Sequence, residues 1–110
     1  MESCIFCKIA GGGIPTPFIY EDEEVVAFRD IQPQAPVHFL VVPRRHVASL
    51  NEAQDALLLG RLLQAARKAA EKTGLGQYRL VINTGPEAGQ SVFHLHAHVL
   101  GGRVMAWPPG

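Results

Sequence analysis

The sequence has no excess of charge of either sign. Its 110 residues contain ten Lys and Arg and ten Asp and Glu, and no block of like charges occurs. Proteins that bind nucleic acids or anionic membranes usually carry a basic surface that neutralises phosphates. The balance therefore disfavours both of these partners, although it leaves room for binding a single phosphate group.

Long apolar runs are absent as well. Runs such as residues 56–59 fall far below the ~20 residues that a membrane-spanning helix needs. The amino terminus lacks the basic start, apolar stretch and cleavage site of a secretory signal, and the chain contains no repeats or linkers. Because its length is close to the commonest domain size, we expect one domain spanning residues 1–110, in the cytoplasm.

Cysteine is scarce, with only Cys4 and Cys7 present as a CxxC pair. Such a pair can be a redox disulfide, half of a zinc site, or two unrelated thiols. A redox pair normally starts a helix that follows a strand, and only three residues precede Cys4. A zinc site would need two further ligands, which the five histidines of the chain could supply.

Hydrophobic patterning predicts an α+β domain in which strands flank one long helix. Alternation and β-branched content indicate strands at 18–21, 25–30, 38–43, 78–83 and 92–100. The third is almost continuously apolar, which predicts a central position in an antiparallel sheet. A capping box at Ser49 and Glu52 and apolar residues at intervals of three and four predict a helix of about five turns, closed by Gly74. A short helical turn should precede the GGGIPTP loop.

The segment HLHAH places His94, His96 and His98 at alternate positions of the last predicted strand. They should share one face and leave the apolar residues between them to the other. The outer two would lie ~13.6 Å apart, so a single three-histidine metal site is strained. Imidazoles with an unperturbed pKa of ~6.5 can act as nucleophile or proton carrier, and the alternative is a solvated edge strand rich in histidine.

The loop before this strand, TGPEAGQS, can present backbone amides and polar side chains to an anion. Glycine-rich loops are common, so the loop alone is a weak signal. Joined directly to a row of histidines, it favours phosphoryl-transfer chemistry.

HLHAHVL, preceded by GQSVF and followed by GGR, resembles the signature of the histidine triad superfamily. The segments DIQPQAPVHFLVVP and RRHV and the terminal WPPG are similar to its nucleotide-binding branch, the purine nucleoside phosphoramidases. The resemblance covers essentially the whole chain. It implies a five-stranded antiparallel sheet with one long helix and a short N-terminal helix, and a homodimer with a continuous ten-stranded sheet.

The resemblance also implies hydrolysis of the P–N bond of adenosine 5′-phosphoramidates and of aminoacyl adenylates, with release of AMP. His96 would attack the α-phosphorus to form a nucleotidyl-histidine intermediate, and His98 would neutralise the phosphoryl oxygens. Ser91 would assist near the leaving group, and His38 would orient the nucleophile from behind.

Further positions match residues that hold the nucleotide in this family. Asp30 would bind the ribose hydroxyls, which is chemically reasonable for a carboxylate facing two vicinal hydroxyls. The base pocket would consist of Phe6, Ile9, Phe28 and Ile31, and the phosphate surroundings of Asn83, Gly89 and Gln90. Trp107 would lie in a tail that reaches the neighbouring subunit and shapes substrate preference. The alternatives are ordinary core residues for Ile9 and Phe28 and a disordered terminus for Trp107.

Some bacterial members of this branch use a CxxC pair and two histidines to bind a structural zinc. The matching positions are Cys4, Cys7, His46 and His94, and this ligand set would close a tetrahedral site. The alternative for His46 is a surface residue beside two arginines.

Two other functions remain open: a dinucleoside polyphosphate hydrolase, and a non-catalytic nucleotide-binding or interaction module. The WPPG ending and the short chain favour the phosphoramidase over the polyphosphate hydrolase. A nucleotidyltransferase is disfavoured because that branch has glutamine at the position of His98.

Overall fold

All five predicted strands form, and they join one antiparallel sheet. In the computed structural model, which describes residues 3–110, the strands are β1 (Tyr20–Glu21), β2 (Val25–Arg29), β3 (Val37–Pro43), β4 (Tyr78–Val81) and β5 (Ala97–Gly101). The sheet order is β1-β2-β3-β5-β4. The helices are α1 (Ile5–Ala10) and α2 (Ala56–Lys72), and short 3₁₀ turns occupy Leu50–Glu52 and Pro86–Ala88. The predicted α+β class is confirmed.

Strand β3 is central, as its continuous hydrophobicity predicts. It pairs with β2 on one side and β5 on the other, and six of its seven residues are buried. A strand covered on both faces has no solvent-facing side for polar residues, which explains the apolar sequence.

The two faces of the sheet are covered by different helices. Helix α2 packs its apolar stripe on one face, with core residues Leu62, Ala65, Ala66, Ala69 and Ala70 against Val25, Ala27, Phe39, Val41, Leu95, Ala97 and Val99. Helix α1 packs on the other face, with Phe6, Ile9 and Ala10 against Val26, Phe28, Leu40 and Val42. Because α1 is short, part of this second face stays open beside it, and the histidines lie there. No helix within residues 3–110 combines the length and apolar character needed to cross a membrane.

Helix α2 begins later than predicted. Its N-cap is Asp55, whose carboxylate accepts hydrogen bonds from the amides of Leu57 and Leu58. Ser49 caps only the 3₁₀ turn, because the chain becomes extended at Ala53 (φ −86°, ψ 95°) and separates the two segments. The predicted end is confirmed: the helix stops at Lys72, and Gly74 follows with φ +82°.

The last strand is shorter than predicted, and its first part is irregular. The prediction of residues 92–100 is wrong at its start, because β5 begins at Ala97. Its partner β3 ends at Pro43, which has no amide proton to continue the ladder. The alternation of faces nevertheless persists, since Leu95 packs in the α2 core while His94 and His96 contact Phe6 on the other face. The first and fourth strands are also shorter than the predicted 18–21 and 78–83.

Candidate active site and metal centre

A cavity of about 1010 Å³ opens on the α1 face of the sheet. Its wall contains nine of the residues that the sequence predicts for the site: Phe6, Ile9, Phe28, Asp30, Ile31, His38, Ser91, His96 and His98. Asp30, His38, His96 and His98 lie close together in this wall, and much of the rest of it is apolar, with further contributions from Ile14, Phe18, Leu40 and Val92. The cavity therefore joins a histidine cluster to an apolar chamber.

The imidazole of His96 is fixed in one tautomer. Its Nδ1 lies 2.8 Å from the carbonyl oxygen of His94. A carbonyl only accepts, so Nδ1 carries the proton and Nε2 keeps its lone pair. The ring is 5% exposed and packs edge-on against Phe6, with centroids 5.1 Å apart. His96 thus brings an unprotonated nitrogen to the cavity wall, which is what a nucleophile requires.

His38 and His98 form a second hydrogen-bonded unit with a defined direction. The Gln34 amide donates to Nδ1 of His38 at 2.9 Å, so the proton of neutral His38 resides on Nε2. That Nε2 lies 2.9 Å from Nδ1 of His98, which must accept. The remaining nitrogen of His98, Nε2, therefore keeps a proton that it can donate to an anion in the cavity.

The register of the sheet brings these two histidines together. Leu40 pairs with His98, and His38 pairs with Leu100, so the two histidines are diagonal neighbours on the cavity face. His38 thus lies behind His98. The expectation that it orients the nucleophile is not what the contacts show, because the carbonyl of His94 holds His96 instead.

Asp30 lies beside this pair. Its Oδ2 is 3.4 Å from Nε2 of His38 and 3.9 Å from Nδ1 of His98, while its Oδ1 accepts from the Gln32 amide at 2.8 Å. The three side chains are close enough to hold a metal ion. A metal on His38 Nε2 would, however, require an imidazolate, since the Gln34 amide already occupies Nδ1. The arrangement is a hydrogen-bond network.

Burial keeps both members of this pair neutral. It lowers the pKa of His98 to about 4, with added repulsion from His96 and His38 and partial opposition from the Asp30 carboxylate. Burial also lowers the pKa of His38, again opposed by Asp30. Both imidazoles must be neutral for the hydrogen bonds to run from the Gln34 amide to His38 and from His38 to His98.

The polar loop before His94 is organised by Gln90. This side chain is 4% exposed; its Oε1 accepts from the Gly85 amide, and its Nε2 donates to the carbonyls of Ala48 and Val92. Gly89 has φ +99° and lies against Asn83. These three predicted phosphate neighbours, Asn83, Gly89 and Gln90, lie outside the residues that line the cavity, whereas Ser91 is part of its wall.

Trp107 is also outside the cavity lining and is 80% exposed. Its ring lies beside the Arg79 guanidinium, 5.8 Å from ring centroid to Cζ, and Arg79 also donates to the Ala106 carbonyl at 2.9 Å. The tail is thus held against its own sheet, and a role in substrate preference stays a prediction.

The CxxC pair lies at a second cluster. The ligand atoms of Cys4, Cys7, His46 and His94 all lie within 4.8 Å of one another. Nδ1 of His94 is 3.3 Å from Sγ of Cys4 and 3.5 Å from Sγ of Cys7, and Nδ1 of His46 is 3.3 Å from Sγ of Cys7. His46 is half-buried and contacts Cys7, so it is not simply a solvated residue beside the two arginines.

Local structure directs the donor atoms of these four residues towards one another. Cys4 is the N-cap of α1, which places Cys7 one turn further on the same side of the helix. Nε2 of His94 lies 2.7 Å from the carbonyl of Pro43, so Nε2 carries the proton and Nδ1 turns its lone pair to the thiols. Burial raises the pKa of the Cys7 thiol, with Cys4 adding to the effect; a bound cation would offset this. Two sulfurs and two imidazole nitrogens fit a closed tetrahedral zinc site.

Sequence reasoning missed the groups that orient the histidines. These are backbone atoms of Gln34, Pro43 and His94, and backbone groups carry no residue-specific signal. It also missed Ile14 and Phe18 in the cavity wall, since apolar residues in a proline-rich loop look like ordinary packing.

Comparisons with known proteins agree with this architecture. The HIT domain model matches residues 12–105. An uncharacterized HIT-like protein of Synechococcus elongatus is 53% identical over 112 residues, covering 99% of this chain and 98% of that protein.

Solved structures match over nearly the full length. A HIT family hydrolase from Legionella pneumophila has 49% identity and a TM-score of 0.93, covering 98% of this chain and 100% of its own. A histidine triad protein from Clostridium difficile has 39% identity and a TM-score of 0.91, with 96% of each chain covered. The family match, these relatives and the histidine geometry together show that this chain belongs to the HIT domain family.

Proposed function

We propose that this protein hydrolyses the P–N bond of purine nucleoside 5′-phosphoramidates and of related acyl adenylates, releasing AMP. The observation that carries the proposal is the Nδ1–H···O contact from His96 to the His94 carbonyl, which leaves a nucleophilic Nε2 at the cavity wall. The protein is a nucleotide-binding member of a hydrolase family, and this reaction is the finer assignment that the site supports best.

In the first step, the Nε2 lone pair of His96 forms a bond to the α-phosphorus and the P–N bond to the leaving amine breaks. The electron pair goes to the amine nitrogen, which takes a proton from solvent relayed through the Ser91 hydroxyl. The phosphorylated imidazole is cationic, and the His94 carbonyl then accepts a charge-assisted hydrogen bond from Nδ1–H, which stabilises the intermediate.

His98 donates a hydrogen bond from Nε2–H to a phosphoryl oxygen, and this bond strengthens as negative charge develops in the transition state. Its neutral state at physiological pH follows from burial, and the neutral tautomer follows from the contact with His38. A donor fixed before the substrate binds stabilises developing charge without reorganisation.

In the second step, a water oxygen attacks the phosphorus and the P–Nε2 bond breaks, returning the electron pair to His96. The proton that water loses returns to solvent through the Ser91 hydroxyl. AMP is released, and the site regains its starting protonation.

The apolar chamber holds the base, between Phe6, Ile9, Phe28 and Ile31, and Asp30 receives the ribose hydroxyls. Phe6 and Phe28 pack edge to face at 5.7 Å, which gives the chamber a rigid wall. Both Asp30 oxygens retain acceptor capacity after their contacts within the chain. Asn83, Gly89 and Gln90 build the loop that carries Ser91 to the phosphate.

We also propose that Cys4, Cys7, His46 and His94 hold one structural zinc ion. The ligand set and its closed geometry support zinc over a catalytic metal with an open position. Bound zinc would join α1 to the segment that carries the nucleophile. Two free thiols arranged as ligands suit the reducing cytoplasm. A homodimer in which Trp107 reaches the neighbouring site belongs to the same proposal.

The second candidate is hydrolysis of dinucleoside polyphosphates, because the same nucleophile can attack a phosphorus in a P–O–P bridge. The size of the cavity favours testing it. Purified protein would be given adenosine 5′-phosphoramidate or diadenosine polyphosphates, and AMP formation followed by chromatography. We expect AMP from the phosphoramidate at a much higher kcat/KM. Faster cleavage of the polyphosphates would replace the first proposal, and tight AMP binding without turnover would indicate a binding module.

A further inference from the structure

The GGR segment that follows β5 makes contacts that the reaction above does not use. Nε and Nη2 of Arg103 both donate to the carbonyl of Gln34, at 3.3 and 3.0 Å, and Nη1 donates to the Val104 carbonyl at 3.2 Å. One guanidinium thus bridges the C-terminal tail and the loop between β2 and β3. A two-pronged, charge-assisted contact to one carbonyl fixes the position of that peptide unit.

The neighbouring glycine shows that the two segments approach closely. Gly102 has φ +91°, and a Cβ at this position would lie only 3.0 Å from Cβ of Pro36. The preceding residue, Gly101, pairs with Val37 at the start of β3. The tail is therefore seated on the loop by main-chain packing as well as by the arginine.

This loop sets the direction of the histidine pair. The Gln34 amide donates to Nδ1 of His38, and together with the Asp30 carboxylate near Nε2 this contact keeps the proton of His38 on Nε2. Residues 31–34 are all exposed, so side-chain burial does little to hold the loop in place. Its restraints include the bond from the Gln34 amide to His38, the Gln34 contact with the Gln32 carbonyl, the Asp30 turn and Arg103.

We propose that Arg103 is a positioning residue that keeps the Gln34 amide on His38 and thereby keeps the donated proton on Nε2 of His98. This inference rests on the reaction proposed above. If the Gln34 amide moves away, His38 can carry its proton on Nδ1 and accept at Nε2. His98 must then donate from Nδ1, and its Nε2 turns a lone pair to the phosphoryl oxygen. One displaced amide therefore converts an anion-stabilising group into a repulsive one.

The direct test is the histidine tautomer pattern in long-range ¹H–¹⁵N NMR spectra at neutral pH. Wild-type protein should show His38 and His98 as Nε2–H forms. Arg103→Ala should show a mixture at both rings, and Arg103→Lys, which keeps one charged donor, should lie between them. Arg103 is exposed, so these variants should fold. If the alanine variant does not fold, Arg103→Gln, which keeps one uncharged donor group, takes its place in the NMR measurement.

Two arginines provide matched controls. Arg79→Ala removes another arginine that binds a tail carbonyl but does not touch the loop, and it should leave the His98 tautomer unchanged. Arg67→Ala removes an exposed arginine on α2, paired with Glu71, and it should leave both tautomer and turnover unchanged.

Kinetics provide the second readout. For Arg103→Ala, we expect kcat on the phosphoramidate to fall by roughly threefold to thirtyfold, the range expected for weakening one charge-assisted hydrogen bond, with KM nearly unchanged. Wild-type tautomers in Arg103→Ala would overturn the inference, as would a higher KM at constant kcat. Because the NMR readout needs no turnover, it tests the positioning of His98 separately from the proposed hydrolysis.

Discussion

The backbone carbonyl of His94 accepts a hydrogen bond from Nδ1 of His96 at 2.8 Å, while the imidazole of the same His94 lies against both thiols of the CxxC pair. One residue therefore belongs to two sites, through its side chain in the first and its main chain in the second. The segment before β5 has no ladder partner on β3 beyond Val41, so it is held by the bond from the Leu95 amide to the Val47 carbonyl and by side-chain contacts, those of His94 among them. The Cys/His cluster thus supports the segment that carries His96.

Metal removal should destabilise the protein. Loss of the ion would leave fully buried His94 and two thiols with no cation to coordinate. The binding free energy of a structural zinc is part of the folding free energy. We expect the melting temperature to fall by about 10 °C or more on chelation, since each 1 kcal/mol shifts it by roughly 4–8 °C in a small domain.

Differential scanning fluorimetry with and without a chelator measures this effect, and elemental analysis should find close to one zinc per chain. Cys4→Ser/Cys7→Ser provides the control, because its melting temperature should be low and insensitive to the chelator. An unchanged melting temperature after chelation of zinc-loaded protein would show that the cluster does not hold a structural metal.

The free energy of unfolding should fall as the pH is lowered below ~6.5, the unperturbed pKa of histidine. The pKa of His98 is about 4 in the folded chain, against ~6.5 when unfolded. The unfolded chain therefore binds more protons between these values, so the contribution of His98 is complete above pH ~6.5 and is lost as the pH falls towards 4. His38, whose pKa is also lowered, acts in the same direction.

Urea unfolding of wild type and His98→Gln at several pH values between 4.5 and 7.5 measures this contribution. The difference between the two curves isolates His98, because acid release of the metal affects both proteins alike. We expect the wild-type free energy of unfolding to decline more steeply than that of the variant. Parallel curves would contradict the assigned protonation state.

Asp30 should discriminate the sugar. If its carboxylate binds the ribose hydroxyls, Asp30→Ala and a 2′-deoxy substrate should each reduce kcat/KM by about 10-fold to 150-fold, which corresponds to roughly the 1.5–3 kcal/mol of a hydrogen bond to a charged group. Combining them should cost little more than either alone, as in a double-mutant cycle for one contact. Fully additive losses would place the ribose elsewhere.

The sequence was sufficient to predict the sheet and the face shared by the histidines, and the family resemblance named the four members of the Cys/His cluster. The faces were predictable because Leu95, Ala97 and Val99 need burial, whatever the exact start of the strand. The start of β5 was not predictable, since it depends on where its partner strand β3 ends, at Pro43. The start of α2 was ambiguous for a similar reason: Ser49 and Asp55 are both good N-caps, and only the extended chain at Ala53 separates them.

The contact between His38 and His98 was beyond sequence reasoning. It depends on a diagonal register between β3 and β5 and on one amide of an exposed loop. Neither has a signature in residue types. The resemblance names both residues and places His38 behind the nucleophile, whereas the hydrogen bond of His38 is to His98.

The central claim is that Nε2 of His96 becomes covalently bonded to the nucleotide. Intact-mass analysis of protein quenched in acid-free denaturant during turnover of adenosine 5′-phosphoramidate tests it most directly, with peptide mapping to locate the adduct and His96→Ala as the control. We predict a transient adenylyl adduct on His96 in the wild type. The variant should show no adduct, AMP binding should persist, and turnover should fall by at least about 10³-fold. An adduct on another residue, or full turnover in His96→Ala, would contradict the account.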